Sequence, residues 1–292
     1  MPATVSIIIV SADSGPSLRE CVERALASSD AAEVIIADNA SRDGVPQAIA
    51  RAHEHDERLS VVYNHANLGF GRAVNVAARA AHGDALLVLN PDCLLDPDTL
   101  PRLMEVLRAH PDAGVIGAVV CDDEGSPDPA SWRRDPLLRR SLNEMTGRAR
   151  REAEDPRFEG VDVPGPIPRE VIEVENVSGA LMLLRQAAFD RLHGFDPGYF
   201  LHCEDLDLCR RARDAGYKVL LAGDVRVPHA KGGSSAHRPV FVSRHKHRGM
   251  WHWFGKFDPA ARRPPLRALV WCGIWLHFLV TAPGLWLRRR TS

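Results

Sequence analysis

The chain has 292 residues, enough for one large α/β domain or two modest ones and for a substantial core. Hydrophobic residues make up 45% and charged residues 26%, and the formal net charge is −1, which argues against a general polyanion binder and so against nucleic acid as a partner. Six cysteines (Cys21, Cys93, Cys121, Cys203, Cys209, Cys272) form no CxxC pair, so their spacing fits neither a zinc site nor a disulfide framework; reduced thiols in a cytosolic compartment are the simplest reading.

Met1-Pro2-Ala3-Thr4 runs straight into a strand-like segment with no basic n-region, so no signal peptide is expected. From there to Val120, short apolar runs alternate with helix-like segments, the pattern of a parallel sheet with crossover helices. Strands are predicted at Val5–Val10, at Glu33–Ala37 ending on Asp38, at Leu59–Tyr63, at Ala85–Leu89 and at Ala113–Val120. Helices are predicted at Pro16–Ser28, Gly71–Ala81 and Pro101–His110. Cys121 to Arg169 is rich in Pro, Arg, Asp and Glu with few periodic apolar residues, and reads as a long, partly mobile surface excursion with a short helix near Leu137–Arg151. Regular structure resumes at Val171, with a strand at Ala180–Leu184, helices at Gln186–Leu192 and Glu204–Ala215, and a strand at Lys218–Leu221.

From Arg238 to Arg290 basic residues and His abound against a single acid, Asp258. Within that stretch Ala268–Leu287 is a run of twenty residues without formal charge, flanked by Arg262, Arg263 and Arg267 before and by Arg288, Arg289 and Arg290 after. Its length would admit a transmembrane span. His277 in mid-run, the Pro283-Gly284 break and arginine on both flanks argue instead for a helix lying in the membrane interface, with Trp271, Trp275 and Trp286 at headgroup depth. A core helix docked on the rest of the protein is the competing expectation.

In open α/β sheets ligands bind at the carboxyl ends of the strands, so the loops there are the candidate site. The first is Ser11-Ala12-Asp13-Ser14. The second, Asp38-Asn39-Ala40-Ser41-Arg42-Asp43-Gly44, is either an Asx-type turn or a place where Asp38 accepts hydrogen bonds from a base or ribose. The third, Asn67-Leu68-Gly69-Phe70-Gly71-Arg72-Ala73-Val74-Asn75, has two glycines before a helix, which lets backbone amides approach a phosphate while Arg72 adds positive charge. The fourth is Asn90-Pro91-Asp92, where a carboxylate at a strand end can hold Mg²⁺ or Mn²⁺ on a diphosphate; the bland alternative is that Asp92 or Asp96 caps the helix that follows. Downstream, Phe200-Leu201-His202-Cys203-Glu204-Asp205-Leu206-Asp207 packs three carboxylates where a turn hands over to a helix, so that one can act as a base while another caps the helix.

Taken in order, these segments resemble the inverting nucleotide-sugar glycosyltransferases of family 2 with the GT-A fold, especially the rhamnosyltransferase-like members, over roughly residues 4 to 250. The matching elements are the "DN-S-DG" segment at Asp38, "N-GFG-A-N" at Asn67, the D-x-D variant at Asn90-Pro91-Asp92, "sGa" at Ser178-Gly179-Ala180, "ED" at Glu204-Asp205 and "H-x-x-G-x-S" at His229. The resemblance implies an α/β fold with a GT-A-type, Rossmann-like, mostly parallel sheet and a C-terminal helical extension. It implies a catalytic domain over 1–237, with a nucleotide-binding half about 1–120, the excursion 121–170 and an acceptor half about 171–237, followed by the basic, Trp-rich helical segment 238–292. Asp205 is then the base that deprotonates the acceptor. Asp92 and His229 hold Mg²⁺ or Mn²⁺ or face phosphate, and the loop after His229 is a candidate lid. Ser11, Asp13, Asp38, Asn39, Asn67, Gly69, Gly71, Arg72, Asn90, Gly179 and Glu204 line the substrates. Asp13 departs from the family's usual Asn. The implied reaction transfers a sugar from a nucleoside diphosphate, dTDP-rhamnose by subgroup, to a glycan or lipid-linked hydroxyl acceptor, with the protein peripheral on the inner face of the cell membrane and a homodimer left open. A sugar nucleotidyltransferase would want a Gly-rich loop with Arg and Lys after the first strand, which Ser11–Pro16 is not. A non-catalytic nucleotide-binding membrane partner would have lost the base or the metal acid, and neither is lost.

Overall fold

The computed structural model describes residues 4–122, 124–229 and 238–288. The elements in chain order are β1 (Val5–Ser11), α1 (Ser17–Ala27), β2 (Ala31–Asp38), α2 (Val45–Ala52), β3 (Leu59–Tyr63), α3 (Phe70–Ala78), β4 (Ala85–Leu89), α4 (Thr99–Ala109), β5 (Ala113–Cys121), β6 (Trp132–Arg133), α5 (Leu138–Met145), β7 (Val171–Glu173), β8 (Asn176–Val177), β9 (Leu181–Arg185), α6 (Gln186–Arg191), α7 (Glu204–Asp214), β10 (Lys218–Pro228), α8 (Pro239–Phe257) and α9 (Pro264–Arg288). One sheet has the order β3-β2-β1-β4-β9-β5-β10-β7, and β6 pairs with β8 in a small second one. Strands β3, β2, β1, β4, β5 and β10 share one direction, while β9 and β7 run against it.

The sheet is buried on both faces, which is why its strands read as unbroken Val/Ile/Leu runs. Alternate side chains go to opposite faces: Ile7, Ile9, Leu87 and Leu89 pack with α1, α2 and α4, whereas Ile8, Val10, Leu86 and Val88 pack with α3, α6 and α7. Helix α3 can lie close to the sheet because its inward positions are small, Ala73, Val74, Ala77 and Ala78.

The sheet and the 121–170 stretch differ from expectation in several ways. Strand β9 enters between β4 and β5 antiparallel to both, so its first residue lies beside the last of β4, with Leu89 opposite Leu181 and the Asn90 N–H bonded to the Ala180 carbonyl at 2.8 Å. Strand β10 runs to Pro228 instead of Leu221, with a register shift between Ala222 and Arg226. The 121–170 stretch is built around buried polar groups. Arg140 ion-pairs with Glu159 at 2.7 Å and Glu175 at 2.7 Å, and Asp135 with Arg210 at 3.0 Å and Arg213 at 2.6 Å. Charged residues make its inner surface, so no apolar periodicity marks it. The helix near Leu137–Arg151 is α5 followed, after Gly147 at φ 70°, by a separate 3₁₀ turn.

Helix α9 continues through Pro283 without the expected break. It is not a core helix: Leu269, Leu276, Leu279 and Val280 are each more than 60% exposed. Its 23 residues Pro264–Trp286, mean hydropathy 1.6, are long and apolar enough to cross a membrane. Its neighbour is α8, and His277, the one polar ring of the apolar run, meets His247 there with Nδ1 2.9 Å from Nε2.

Candidate active site

The carboxyl ends of the parallel strands form one edge, and the first two loops are tied together there. The Asn39 N–H donates to the Ser11 carbonyl at 2.8 Å, Ser41 Oγ lies 3.3 Å from Ser11 Oγ and accepts the Asp13 N–H at 3.1 Å, and Asp13 Oδ1 accepts the Arg42 N–H at 2.6 Å. Asp13 and Ala40 hold positive φ, 56° and 57°, to make these closures. Asp38 is buried and its Oδ1 accepts the Ser41 N–H at 3.0 Å, so the Asx turn is present. Asn39 reaches the third loop, donating to the Gly69 carbonyl at 3.2 Å and accepting from Asn64 Nδ2 at 3.0 Å.

The third loop is used differently from the expected phosphate cradle. The Gly69 N–H is bonded to Asn67 Oδ1 at 2.9 Å, the Phe70 N–H to the Phe200 carbonyl at 2.9 Å, and Arg72 Nε to the Pro197 carbonyl at 2.9 Å. Gly69, at φ 85°, is required because a Cβ there would sit 2.3 Å from the Phe200 carbonyl oxygen. At Gly71 a Cβ would meet Phe195 Cβ at 2.7 Å. Asn75 accepts from the Phe195 N–H at 2.8 Å and donates to its carbonyl at 2.7 Å. This loop therefore clamps the 194–200 turn that leads into α7, and the glycines serve protein packing.

The fourth loop meets the end of β10. His229 pairs its backbone with Cys93, and its Nε2 lies 3.0 Å from Asp92 Oδ1 and 3.5 Å from Asn90 Nδ2. Asp92 Oδ1 is buried, and among the described residues the His229 ring is the group that faces it. A buried carboxylate oxygen and an imidazole nitrogen this close together offer two ligand atoms to one ion, so the pair fits a divalent ion held by Asp92 and His229. Cys93 lies in the same cluster, but burial, aided by the Asp92 charge, pushes its thiol well up, and Sγ points at the Ala180 carbonyl. Mg²⁺ and Mn²⁺ are hard ions that favour oxygen ligands over sulfur, so Asp92, with His229 beside it, is the better holder of such an ion. The loop from Ala230 to Ser235, the candidate lid, lies outside the described residues.

The start of α7 lies against Gly179, next to the Ala180 carbonyl that the fourth loop bonds. His202 and Cys203 both adopt left-handed φ, 68° and 71°, conformations that cost non-glycine residues energy and persist where surrounding structure imposes them. They aim the first turn of α7 at the sheet edge. Asp205 Oδ2 accepts the Gly179 N–H at 3.2 Å and lies 3.3 Å from Arg133 Nη2, and Oδ1 accepts the Leu206 N–H at 2.9 Å. Base candidate and helix cap are therefore one residue, since Cys203 at the N-cap makes no side-chain cap. Gly179 is close enough that a Cβ would stand 3.2 Å from Asp205 Cβ.

The three carboxylates sort by environment. Asp207 is wholly buried between Arg211 and Lys256, whose Nζ is 2.6 Å away, and is a structural anchor. Glu204 is buried, and desolvation followed by the neighbouring Asp205 charge raises its pKa; its Oε2 has no partner. Asp205, 8% exposed, is held at the edge by the Gly179 and Leu206 amides and by Arg133.

Arg133 was not singled out from sequence. It comes from β6, which the 121–170 stretch lays against β8, and Trp132-Arg133-Arg134-Asp135 after a Pro-rich run is the only local signal.

Residues 6–164 match the family model described as Glycosyl transferase family 2. Over 284 residues the chain is 27% identical to the N-acetylglucosaminyl-diphospho-decaprenol L-rhamnosyltransferase of Mycobacterium tuberculosis, covering 91% of this chain and 89% of that one. It is 29% identical over 227 residues to rhamnosyltransferase WbbL of Escherichia coli K12, covering 74% and 79%. Among solved structures, the mannosyltransferase PcManGT of Pyrobaculum calidifontis, in complex with GDP-Man and Mn²⁺, shares the fold with a TM-score of 0.62 at 19% identity, over 100% of this chain and 76% of that one. A family match running through more than half of the chain, on a mostly parallel sheet of this shape, makes it a member of glycosyl transferase family 2, with the GT-A fold and rhamnosyltransferase-like in sequence.

Proposed function

We propose that this glycosyltransferase moves a sugar, with inversion at the anomeric carbon, from a nucleoside diphosphate to a hydroxyl of a glycan or lipid-linked acceptor in cell-surface polysaccharide synthesis. The observation that carries the reading is that two acids meet at the start of β9: Asp205, held by Gly179 and Arg133, and Asp92, beside His229 on the loop that bonds the Ala180 carbonyl. Asp205 accepts the proton of the acceptor hydroxyl as that oxygen attacks the anomeric carbon and the nucleoside diphosphate leaves from the other side. Mg²⁺ or Mn²⁺ bound by Asp92 and His229 would offset charge on the leaving diphosphate. Ser11, Asp13, Asp38, Asn39 and Asn67 wall the nucleotide. Gly69, Gly71 and Arg72 hold the 194–200 turn, and through it the base, in register. Asn90 sits beside His229, and burial, then the neighbouring Asp205, raises the Glu204 carboxyl.

dTDP-rhamnose is the first donor to test, because the relatives are rhamnosyltransferases. The catalytic unit extends over 1–237, and α9, exposed and apolar, holds the protein on the inner face of the cell membrane, where a lipid-linked acceptor would be found. The test is a titration of dTDP-rhamnose, UDP-N-acetylglucosamine and GDP-mannose with Mg²⁺ or Mn²⁺, followed by NMR of the product anomer. Binding of none of them, or a product of retained configuration, overturns the reading.

A further inference from the structure

Helix α8 packs on the turn that leads into α7. A Cβ at Gly249 would sit 2.6 Å from the His202 carbonyl oxygen and 3.3 Å from Cys203 Sγ, so this face of α8 rests on the turn that carries Asp205. Lys246, one turn earlier on the same face, is exposed. Arg133 on β6 lies 3.3 Å from Asp205, two residues beyond Cys203, so α8 and β6 each bring a cation to the 202–205 segment, where burial pushes the His202 imidazole down to about 4. Arg133 spends one nitrogen on Asp205, and its buried Nε has no partner. Next to them Phe200, Phe241 and His245 form an aromatic ledge, with the Phe200 and His245 rings 4.3 Å apart and Phe241 40% exposed. Helix α9 lies along α8 with His277 level with His247, so the exposed apolar surface runs beside this cationic region. With α9 in a membrane interface, its neighbour α8 would lie close to the membrane surface.

We propose that Lys246 on α8 and Arg133 on β6 form a binding site for the phosphate group of a lipid-linked acceptor, distinct from the Asp92–His229 corner, with the first apolar carbons of the lipid on Phe241. The phosphate is then held on the membrane side of Asp205, and the sugar attached to it presents its hydroxyl to the base. Two cations of different kinds suit the task. Arg133 is fixed by its bond to Asp205, and Lys246 is a mobile point charge that can follow the lipid. The inference rests on the reading that the acceptor is lipid-linked.

The test uses the full chain with EDTA present, so that no cation at Asp92 and His229 recruits a diphosphate. Geranyl diphosphate, inorganic pyrophosphate and octyl glucoside are titrated into wild type, Lys246→Ala and Lys246→Arg. Geranyl diphosphate is expected to bind wild type more tightly than pyrophosphate does, to lose about fivefold or more in Lys246→Ala, and to be restored to within about twofold in Lys246→Arg; octyl glucoside is indifferent to all three. Equal geranyl diphosphate affinity in wild type and Lys246→Ala overturns the site, and equal affinity for pyrophosphate and geranyl diphosphate overturns the lipid assignment. A second arm, with metal restored, compares transfer to N-acetylglucosamine joined to geranyl diphosphate with transfer to its octyl glycoside. Lys246→Ala should raise KM about fivefold for the first acceptor alone, leaving donor KM unchanged. An equal effect on both acceptors refutes the inference while leaving the transferase reading intact. Transfer by wild type to neither acceptor, whatever its binding, sinks the acceptor reading and this inference with it.

Discussion

Replacing Asp205 by Asn removes the proposed base while changing almost nothing in shape. The carboxylate takes three contacts: the Gly179 N–H and Arg133 Nη2 on one oxygen and the Leu206 N–H on the other. The Asn side chain can keep its carbonyl on the first two, leaving the Leu206 amide facing an NH₂ group, which costs about 1–1.5 kcal/mol of stability. Loss of a positioned base costs ~10²–10⁴ in turnover, roughly 3–5 kcal/mol in the barrier. Asp207→Asn should do the reverse. Its carboxylate is fully buried against Lys256 and Arg211, but Lys256 keeps Asp196, and Arg211 keeps the Leu192 and Gly194 carbonyls. The loss is then about 2–3 kcal/mol, below the 3–5 kcal/mol typical when a buried pair is broken outright, or roughly 4–10 °C in Tm. The assay is kcat at saturating donor, donor affinity by calorimetry and a thermal melt, on both variants. Asp205→Asn is expected to fall in kcat with Tm nearly held, and Asp207→Asn to fall in Tm with kcat nearly held. If Asp205→Asn keeps kcat within about threefold of wild type, Asp205 is not the base.

Asp92→Ala should abolish the increment in donor affinity that Mg²⁺ or Mn²⁺ produces and leave metal-free nucleotide binding within about twofold; full activity of wild type in EDTA would refute the metal assignment. Gly69→Ala places a Cβ against the Phe200 carbonyl at a φ that disfavours side chains, so it should destabilise by more than about 2 kcal/mol and loosen the Asp205 turn, read as a lower urea midpoint together with reduced kcat. Burial pulls the Asp196 pKa up, but Lys256, the Gly198 N–H and His252 outweigh it and hold the carboxyl down to about 2. A folded-state pKa below the unfolded one gives stability that is present above the ordinary value of 3.8 and lost as pH falls toward 2. The stability gap between wild type and Asp196→Asn should therefore close through that window in urea titrations, and a gap unchanged from pH 5 to 2.5 would refute it. Deleting residues 264–292 should release the protein from anionic vesicles in flotation while lowering Tm by only a few degrees, about 1–2 kcal/mol, since α9 is exposed over most of its surface; a stable truncation that still floats defeats the membrane reading.

Much of the molecule is legible in the amino-acid order, because its signals are local. Fully buried parallel strands must be apolar on both faces, so Val5–Val10 and Ala85–Leu89 are found from composition alone, and Asx-type turns such as Asp38 to Ser41 announce themselves in short polar runs. The acids at strand and helix ends, Asp92 and Asp205, are visible for the same reason. What depends on residues far apart in the chain is not visible. The insertion of β9 against the direction of its neighbours brings Gly179 beside Asn90 and onto Asp205, and no local pattern specifies strand direction. Arg133 reaches Asp205 across 72 positions from a stretch whose inner surface is charged, so hydrophobic periodicity misses it. The glycines at 69 and 71 read as a phosphate loop because Gly before a helix allows close approach of anything; folding decides that the thing approaching is the Phe195–Phe200 turn. Choosing among Glu204, Asp205 and Asp207 likewise turns on burial and on partners from α8 and β6, because a carboxylate's chemistry is set by the charges and donors around it.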